Sequence, residues 1–179
     1  MLAAGSARRF GSDKLSAPFR GEPLFAHAIR AARAAPVERV ILVAHPALDV
    51  GSWADDPLVE VVRISSTALS DSLRSGVEAA GAADGLFVFL GDMPLVPHDV
   101  AARLAAQIGT AYAAMPRHNG EPGHPVLLST RAQDDIAKLT GDAGAGKLLR
   151  SRDDVVFVEI ADPLILADVD RPEDLTRMA

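Results

Sequence analysis

Leu2-Ala-Ala-Gly-Ser-Ala-Arg-Arg-Phe-Gly-Ser-Asp-Lys14 is the stretch from which the rest of the chain is read. It has the form of a strand end, then a loop, then a basic tip. Ala3, Ala4 and Gly5 are small, so a bulky ligand can press against the backbone there. Gly5 and Gly11 permit backbone angles that other residues resist. Arg8, Arg9 and Lys14 bring three cations into one short loop. Backbone N–H groups beside fixed cations are what a polyphosphate needs. The stretch therefore implies a cradle for a nucleoside triphosphate with a sheet built around it. Taken alone, it fits a solvated loop with ordinary surface charges equally well. It lacks the Gly-x-Gly-x-x-Gly of dinucleotide binders, and no glycine stands directly before Lys14 as a P-loop requires.

Composition narrows the class. A chain of 179 residues implies one domain, here residues 1–179. The hydrophobic share of 49% supports a substantial core, and an aromatic share of only 4% means that Ala, Val, Leu and Ile build it. A formal charge of −6 argues against a general nucleic-acid binder, but not against a small anion held by a local basic loop. With no cysteine there is neither a disulfide framework nor a thiolate zinc site. No apolar run reaches the ~20 residues that span a bilayer. No signal-peptide pattern opens the chain, so a cytoplasmic protein with no membrane partner is expected.

Strand and helix patterns alternate. Apolar runs at Arg39–Ala44, Leu58–Ile64, Gly85–Leu90, Thr110–Met115, Pro125–Leu128, Val155–Ile160 and Leu164–Val169 read as strands. Amphipathic stretches at Pro23–Ala35, Ser70–Ala80 (Ser70 as N-cap), Pro97–Ile108, Arg131–Leu139 and Pro172–Met178 read as helices. Lys147–Arg150 follows a tight loop from Gly141 to Gly146. This alternation predicts an α/β fold, a Rossmann-like three-layer sandwich with a mostly parallel sheet and helices on both faces. Ligands of such sheets sit beyond the carboxyl ends of the strands. Gly5 and Asp92 both occupy such ends, so their convergence is a prediction of topology.

Asp92 follows the most apolar strand and stands in a turn closed by Pro94. Its carboxylate is a hard oxygen ligand suited to Mg²⁺, although an Asp in a turn often serves only the turn. Asp168 and Asp170 would share one face of an extended segment. Either could complete a Mg²⁺ shell opposite Asp92, and Asp170 also stands where it could cap the last helix ahead of Pro172.

Three motifs together carry a resemblance. The first loop resembles Leu-Ala-Ala-Gly-x-x-x-Arg-(Phe/Met)-Gly-x-x-Lys, with Ala7 where Ser or Gly is usual. Gly91-Asp92-Met93-Pro94 resembles the metal-carrying turn. Asp168-Val-Asp-Arg-Pro-Glu-Asp-Leu175 resembles Asp-x-Asp-Thr-Pro-Glu-Asp-Leu. In that order they resemble the MobA-like nucleotidyltransferases, and most of all the molybdenum cofactor cytidylyltransferases, over nearly the whole chain. The fold implied is that of the nucleotide-diphospho-sugar transferases. In this family several apolar residues usually precede Leu-Ala-Ala-Gly, so either the first strand is very short or Met1 lies inside a longer natural chain.

The resemblance implies transfer of a nucleotide to a small phosphorylated acceptor, with Mg²⁺ as cofactor. Arg9, Lys14 and Asp92 are its catalytic residues. Leu2, Ala3, Ala4, Gly5, Gly11 and Ser72 are its nucleotide contacts, Ser72 through a Ser-Leu-Arg-x-Gly segment that also reads as a capped helix start. Asp92, Asp168 and Asp170 are the metal ligands. Residues 117–150 form the acceptor side, through His124 in Gly-His-Pro and through Gly141, Asp142 and Lys147. Gly141–Lys147 imitates a P-loop, but Leu148 stands where the metal-binding hydroxyl would be. Ala4, where guanylyl enzymes more often carry Gly, favours CTP and the molybdenum cofactor. Rival readings are a sugar- or alcohol-phosphate nucleotidyltransferase and a non-catalytic nucleotide binder. A nicotinamide oxidoreductase would need the dinucleotide motif that is missing.

Overall fold

The computed structural model describes residues 1–5, 10, 13–66, 68–140 and 144–179. Its elements in chain order are β1 (Leu2–Ala3), β2 (Pro18–Phe19), β3 (Glu22–Pro23), α1 (Leu24–Arg33), β4 (Arg39–Ala44), β5 (Leu58–Arg63), α2 (Leu69–Ala80), β6 (Gly85–Val88) and α3 (Val100–Gln107). Then come β7 (Ala113–His118), β8 (Glu121–Pro122), β9 (Val126–Ser129), α4 (Thr130–Ile136), α5 (Ala145–Arg150), β10 (Val155–Glu159), a 3-10 turn (Pro163–Leu166) and α6 (Pro172–Met178).

β1, β4 and β5 run parallel, with Leu2 opposite Val43. On the other side β6, β9, β7 and β10 form a second run of strands. Leu2 joins the two: it lies parallel to Leu90, donates its N–H to the Phe89 carbonyl at 2.9 Å and accepts from the Gly91 N–H at 2.9 Å. The order across the molecule is therefore β5-β4-β1-β6-β9-β7-β10. Only β9 runs against its neighbours in this path, paired antiparallel to both β6 and β7.

β4 shows why the fold has three layers. Its Val40, Leu42 and Ala44 pack with Ala28, Ile29 and Ala32 of α1, whereas Ile41 and Val43 pack with Ala80 of α2. Successive side chains of a strand point to opposite faces, so a strand covered on both faces must be apolar throughout. β7 repeats the device: Ala113 faces Ala132 and Ile136 of α4, and Ala114 faces Val100 and Leu104 of α3. No described helix is long and apolar enough to cross a membrane.

Three local expectations are corrected. Leu164–Val169 is not a strand: Pro163 opens a 3-10 turn, and the Asp162 carboxylate accepts the Leu164 N–H at 2.9 Å, curling the apolar run. Ser70 is not an N-cap. The helix starts one residue earlier with Ala68 at the cap, and Ser70 is buried inside the first turn. Asp170 does not cap α6 either; Arg171 is the N-cap residue, and the Asp174 carboxylate accepts the N–H groups of Asp170 and Arg171, each at 2.9 Å.

Candidate active site

The site grows from the carboxyl ends of β1 and β6. Ala3 and Ala4 are buried where β1 ends. Gly91 follows β6, and a Cβ there would stand 3.1 Å from the Leu2 carbonyl oxygen. The close crossing of the two strand ends thus favours a residue without a side chain directly before Asp92.

Lys14 comes to Asp92 from the other side. Its segment is pinned to the start of α1, where the Leu24 N–H donates to Ala17 at 2.9 Å and the Phe25 N–H to Leu15 at 3.1 Å. From there Lys14 Nζ donates to Asp92 Oδ2 at 2.8 Å and reaches Asp170 Oδ1 at 3.5 Å. The lysine side chain is 12% exposed and that of Asp92 27%, so the pair is largely withdrawn from solvent. The first loop and the turn after β6 therefore meet, as the topology predicted.

The third motif is fastened to the second by backbone. The Val169 N–H donates to the Asp92 carbonyl at 2.9 Å, and Val169 itself is fully buried against Phe19 and Leu24. Its neighbours Asp168 and Asp170 consequently point away from that core. Burial holds the Asp168 carboxyl above the usual carboxylate range, with the charges of Asp170 and Asp92 adding to the shift. Asp174 is pulled the opposite way, by the N–H groups of Arg171 and Asp170 that it accepts.

His124 closes a further side. Its N–H donates to the Ile165 carbonyl at 3.0 Å, and its Nδ1 lies 3.5 Å from the Val88 carbonyl oxygen. Burial pushes its imidazole below the ordinary histidine value, against the opposing pull of the Val88 carbonyl and of the nearby charges of Asp92 and Asp168. Gly123 makes the approach possible, since a Cβ on it would fall 2.3 Å from the Ile165 carbonyl oxygen.

Ser72 is buried in α2, with its hydroxyl 3.5 Å from the Ala68 carbonyl oxygen of its own helix. Arg9, Gly11, Gly141 and Asp142 lie outside the described residues, as does the Lys147 side chain, although Lys147 itself belongs to α5. Asp174 and Gly123 were missed as positioning residues. The acidic residue three places after the Arg171 cap was the available signal for Asp174.

Among the described residues, no group of three or more His, Cys, Asp or Glu side chains is arranged to hold a metal ion. Mg²⁺ asks for less, since it takes one or two carboxylates and fills its shell with phosphate oxygens and water. Asp92 and Asp170, already sharing one ammonium, fit that demand with oxygen donors of the right hardness.

The MobA-like NTP transferase domain model matches residues 1–155. The chain belongs to the MobA-like NTP transferase family. Its relatives include the molybdenum cofactor guanylyltransferase of Rhodobacter capsulatus, 31% identical over 99% of this chain and 92% of that one. The purine catabolism protein PucB of Bacillus subtilis (strain 168) is 28% identical over 99% and 94%. Among solved structures, Rv0371c of Mycobacterium tuberculosis H37Rv in complex with manganese superposes with a TM-score of 0.80, at 27% identity over 99% of this chain and 94% of that one. As a MobA-like NTP transferase the protein is a nucleotidyltransferase with the nucleotide-diphospho-sugar transferase fold.

Proposed function

We propose that the protein moves CMP from CTP to a phosphorylated acceptor of the molybdenum cofactor type, releasing pyrophosphate. The observation that carries the reading is Lys14 joined to both Asp92 and Asp170 at the carboxyl ends of β1 and β6. An acceptor phosphate oxygen attacks the α-phosphorus, the new P–O bond forms, and the bond to the β-phosphate oxygen breaks. The attacking oxygen is already anionic, so positioning and charge neutralisation suffice and no strong base is required. Lys14 and Arg9 neutralise the β- and γ-phosphates and the departing pyrophosphate. Asp92 and Asp170 would hold the divalent cation, with Asp168 as a further carboxylate. Mg²⁺ bound there would supply positive charge to the α-phosphate and to the leaving group. Ala3, Ala4 and Gly5 let the nucleotide lie against backbone. Gly11 serves the same loop, and Ser72 is the nucleotide contact from α2.

Residues 117–150 supply the acceptor side of the single domain. His124 contacts the acceptor phosphate. Gly141, Asp142 and Lys147 extend that side. Ala4 is the residue that favours CTP. The opposite reading, GMP from GTP, is favoured by the end-to-end likeness to the Rhodobacter capsulatus guanylyltransferase. A thermal-shift panel of CTP, GTP, ATP and UTP with Mg²⁺, followed by pyrophosphate release with the cofactor acceptor, separates them. A CTP-selective shift and CTP-dependent release are expected. Selectivity for GTP would transfer the assignment to the guanylyl reaction, and no release with any of the four would end both.

A further inference from the structure

A hollow of about 320 Å³ opens over Pro94, Leu95 and Val96, just past Asp92 in the chain. Its rim is formed by Arg20, His27, Arg30 and His98. Lys14, Asp92, Asp168, Asp170 and His124 do not line it, so it is separate from the catalytic crevice. Among the described residues every titratable side chain on the lining is basic, in a chain whose formal charge is −6.

Three separate parts of the chain bring these cations together. His27 and Arg30 stand three residues apart in α1 and share one face of it. His98 is exposed just ahead of α3. Arg20 sits at the tip of the β2–β3 hairpin, where φ is 48° at Arg20 and 86° at Gly21, both positive as in a type I′ turn. Asn or Gly takes such a place readily, so the arginine is held there against the backbone preference. Its guanidinium lies 5.1 Å from the centre of the Phe19 ring, and one terminal nitrogen donates to the Met178 and Ala179 carbonyls at 2.8 and 3.3 Å. The N–H groups of Nε and of the other terminal nitrogen remain for a ligand. His27 Nε2 donates to the Phe19 carbonyl at 2.9 Å, which fixes the ring in the rim. The acid beside the hollow is Glu22. It grips the Arg30 guanidinium with both oxygens, one of them at 2.6 Å, and lies 4.0 Å from His27 Nε2. Asp99, next to His98, is paired instead with Arg103 at 3.9 Å.

We propose that this hollow binds a phosphorylated small molecule, at a site apart from the catalytic crevice. Guanidinium forks and imidazole donors arriving from a hairpin, a helix and a loop suit a group with several oxygens and more than one negative charge, which a phosphate has and a carboxylate lacks. The floor of Pro94, Leu95 and Val96 is apolar, so the body attached to the phosphate is apolar too. Glu22 occupies a fork that the phosphate would otherwise take, and therefore weakens binding. Leu95 also packs with the Phe10, Phe19 and Val169 cluster, so a ligand on this floor touches the segment that continues from Asp92.

The test titrates the protein with inorganic phosphate, phenyl phosphate and benzoate, at fixed ionic strength and without a divalent cation. NMR reads the amides of Leu95 and Val96 and the rings of His27 and His98. Saturable shifts at these four residues are expected with both phosphates, about fivefold tighter for phenyl phosphate. Tighter binding of the inorganic ion would assign free phosphate as the ligand of the same cations. The double variant Arg20→Asn, His98→Gln should bind phenyl phosphate about tenfold more weakly, with Tm preserved because Asn suits the hairpin tip. Glu22→Gln should bind it about threefold more tightly. Lys14→Gln should bind it unchanged, which keeps the outcome independent of whether CTP, GTP or neither is the substrate. The proposal is overturned by benzoate binding as tightly as phenyl phosphate, by the absence of saturable shifts at the four residues, or by full affinity in the double variant.

Discussion

At the scale of single residues, Lys14 and Asp92 carry opposite charges across 2.8 Å in a crevice that excludes much of the solvent. Removing the carboxylate should leave the fold intact and remove a charge-positioning contact worth about 3 kcal/mol, by analogy with a lost electrostatic donor. Asp92→Ala is therefore expected to lower kcat by at least ~100-fold, with circular dichroism unchanged; near-normal turnover would take Asp92 out of the mechanism. Tyr112 allows a cleaner measurement, because it is the single tyrosine of the chain. Its hydroxyl donates to Asp135 at 3.0 Å, and the Arg152 guanidinium lies 3.6 Å from its ring centre. Burial first, then the hydrogen bond and charge of Asp135, push the phenol up to about 12. Between pH 10 and pH 12 the unfolded chain loses this proton while the folded one keeps it, so stability should fall as pH rises through that window. The tyrosinate absorbance of the folded protein should appear near pH 12, and a midpoint near 10 would refute the buried, Asp135-bonded phenol.

Among the elements, α6 and the 3-10 turn before it matter most, because they carry Asp168 and Asp170 to the crevice. Asp174→Ala releases the N–H groups of Asp170 and Arg171, and should lower Tm by a few degrees while reducing activity more than the loss of stability explains. An unchanged KM for the nucleotide and an unchanged kcat in that variant would show that the cap has no part in placing Asp170. Gly123→Ala drives a Cβ into the Ile165 carbonyl and should displace His124 from Asp92 and Asp168. Soluble, folded protein with wild-type activity would contradict this. These two elements also mark where sequence reasoning stopped. β4 and β6 were legible because strands covered on both faces are apolar at every position. Pro163-Leu-Ile-Leu166 is equally apolar, yet curls, because Asp162 and Pro163 start a turn and a run of four cannot distinguish strand from turn by periodicity. At the site, Gly5, Lys14, Asp92 and Asp170 were visible as motif residues. The roles of Gly123 and Asp174 rest on contacts with a carbonyl and two N–H groups, and no pattern of side-chain types records such partners.

For the molecule as a whole, the crevice is assembled from three distant parts of the chain around one sheet. A cation-dependent enzyme built this way should lose pyrophosphate release on chelation with EDTA and regain it with Mg²⁺ or Mn²⁺. Full activity after exhaustive chelation would remove the metal from the scheme. The N–H of Val169 bonded to the carbonyl of Asp92 has a consequence for biosynthesis. Domains acquire structure from the amino end while translation proceeds. Here the early loop and the turn after β6 emerge long before the partner that latches them. A nascent chain still holding residues 168–174 inside the ribosome would therefore lack Asp168, Asp170 and the bond that latches them to Asp92.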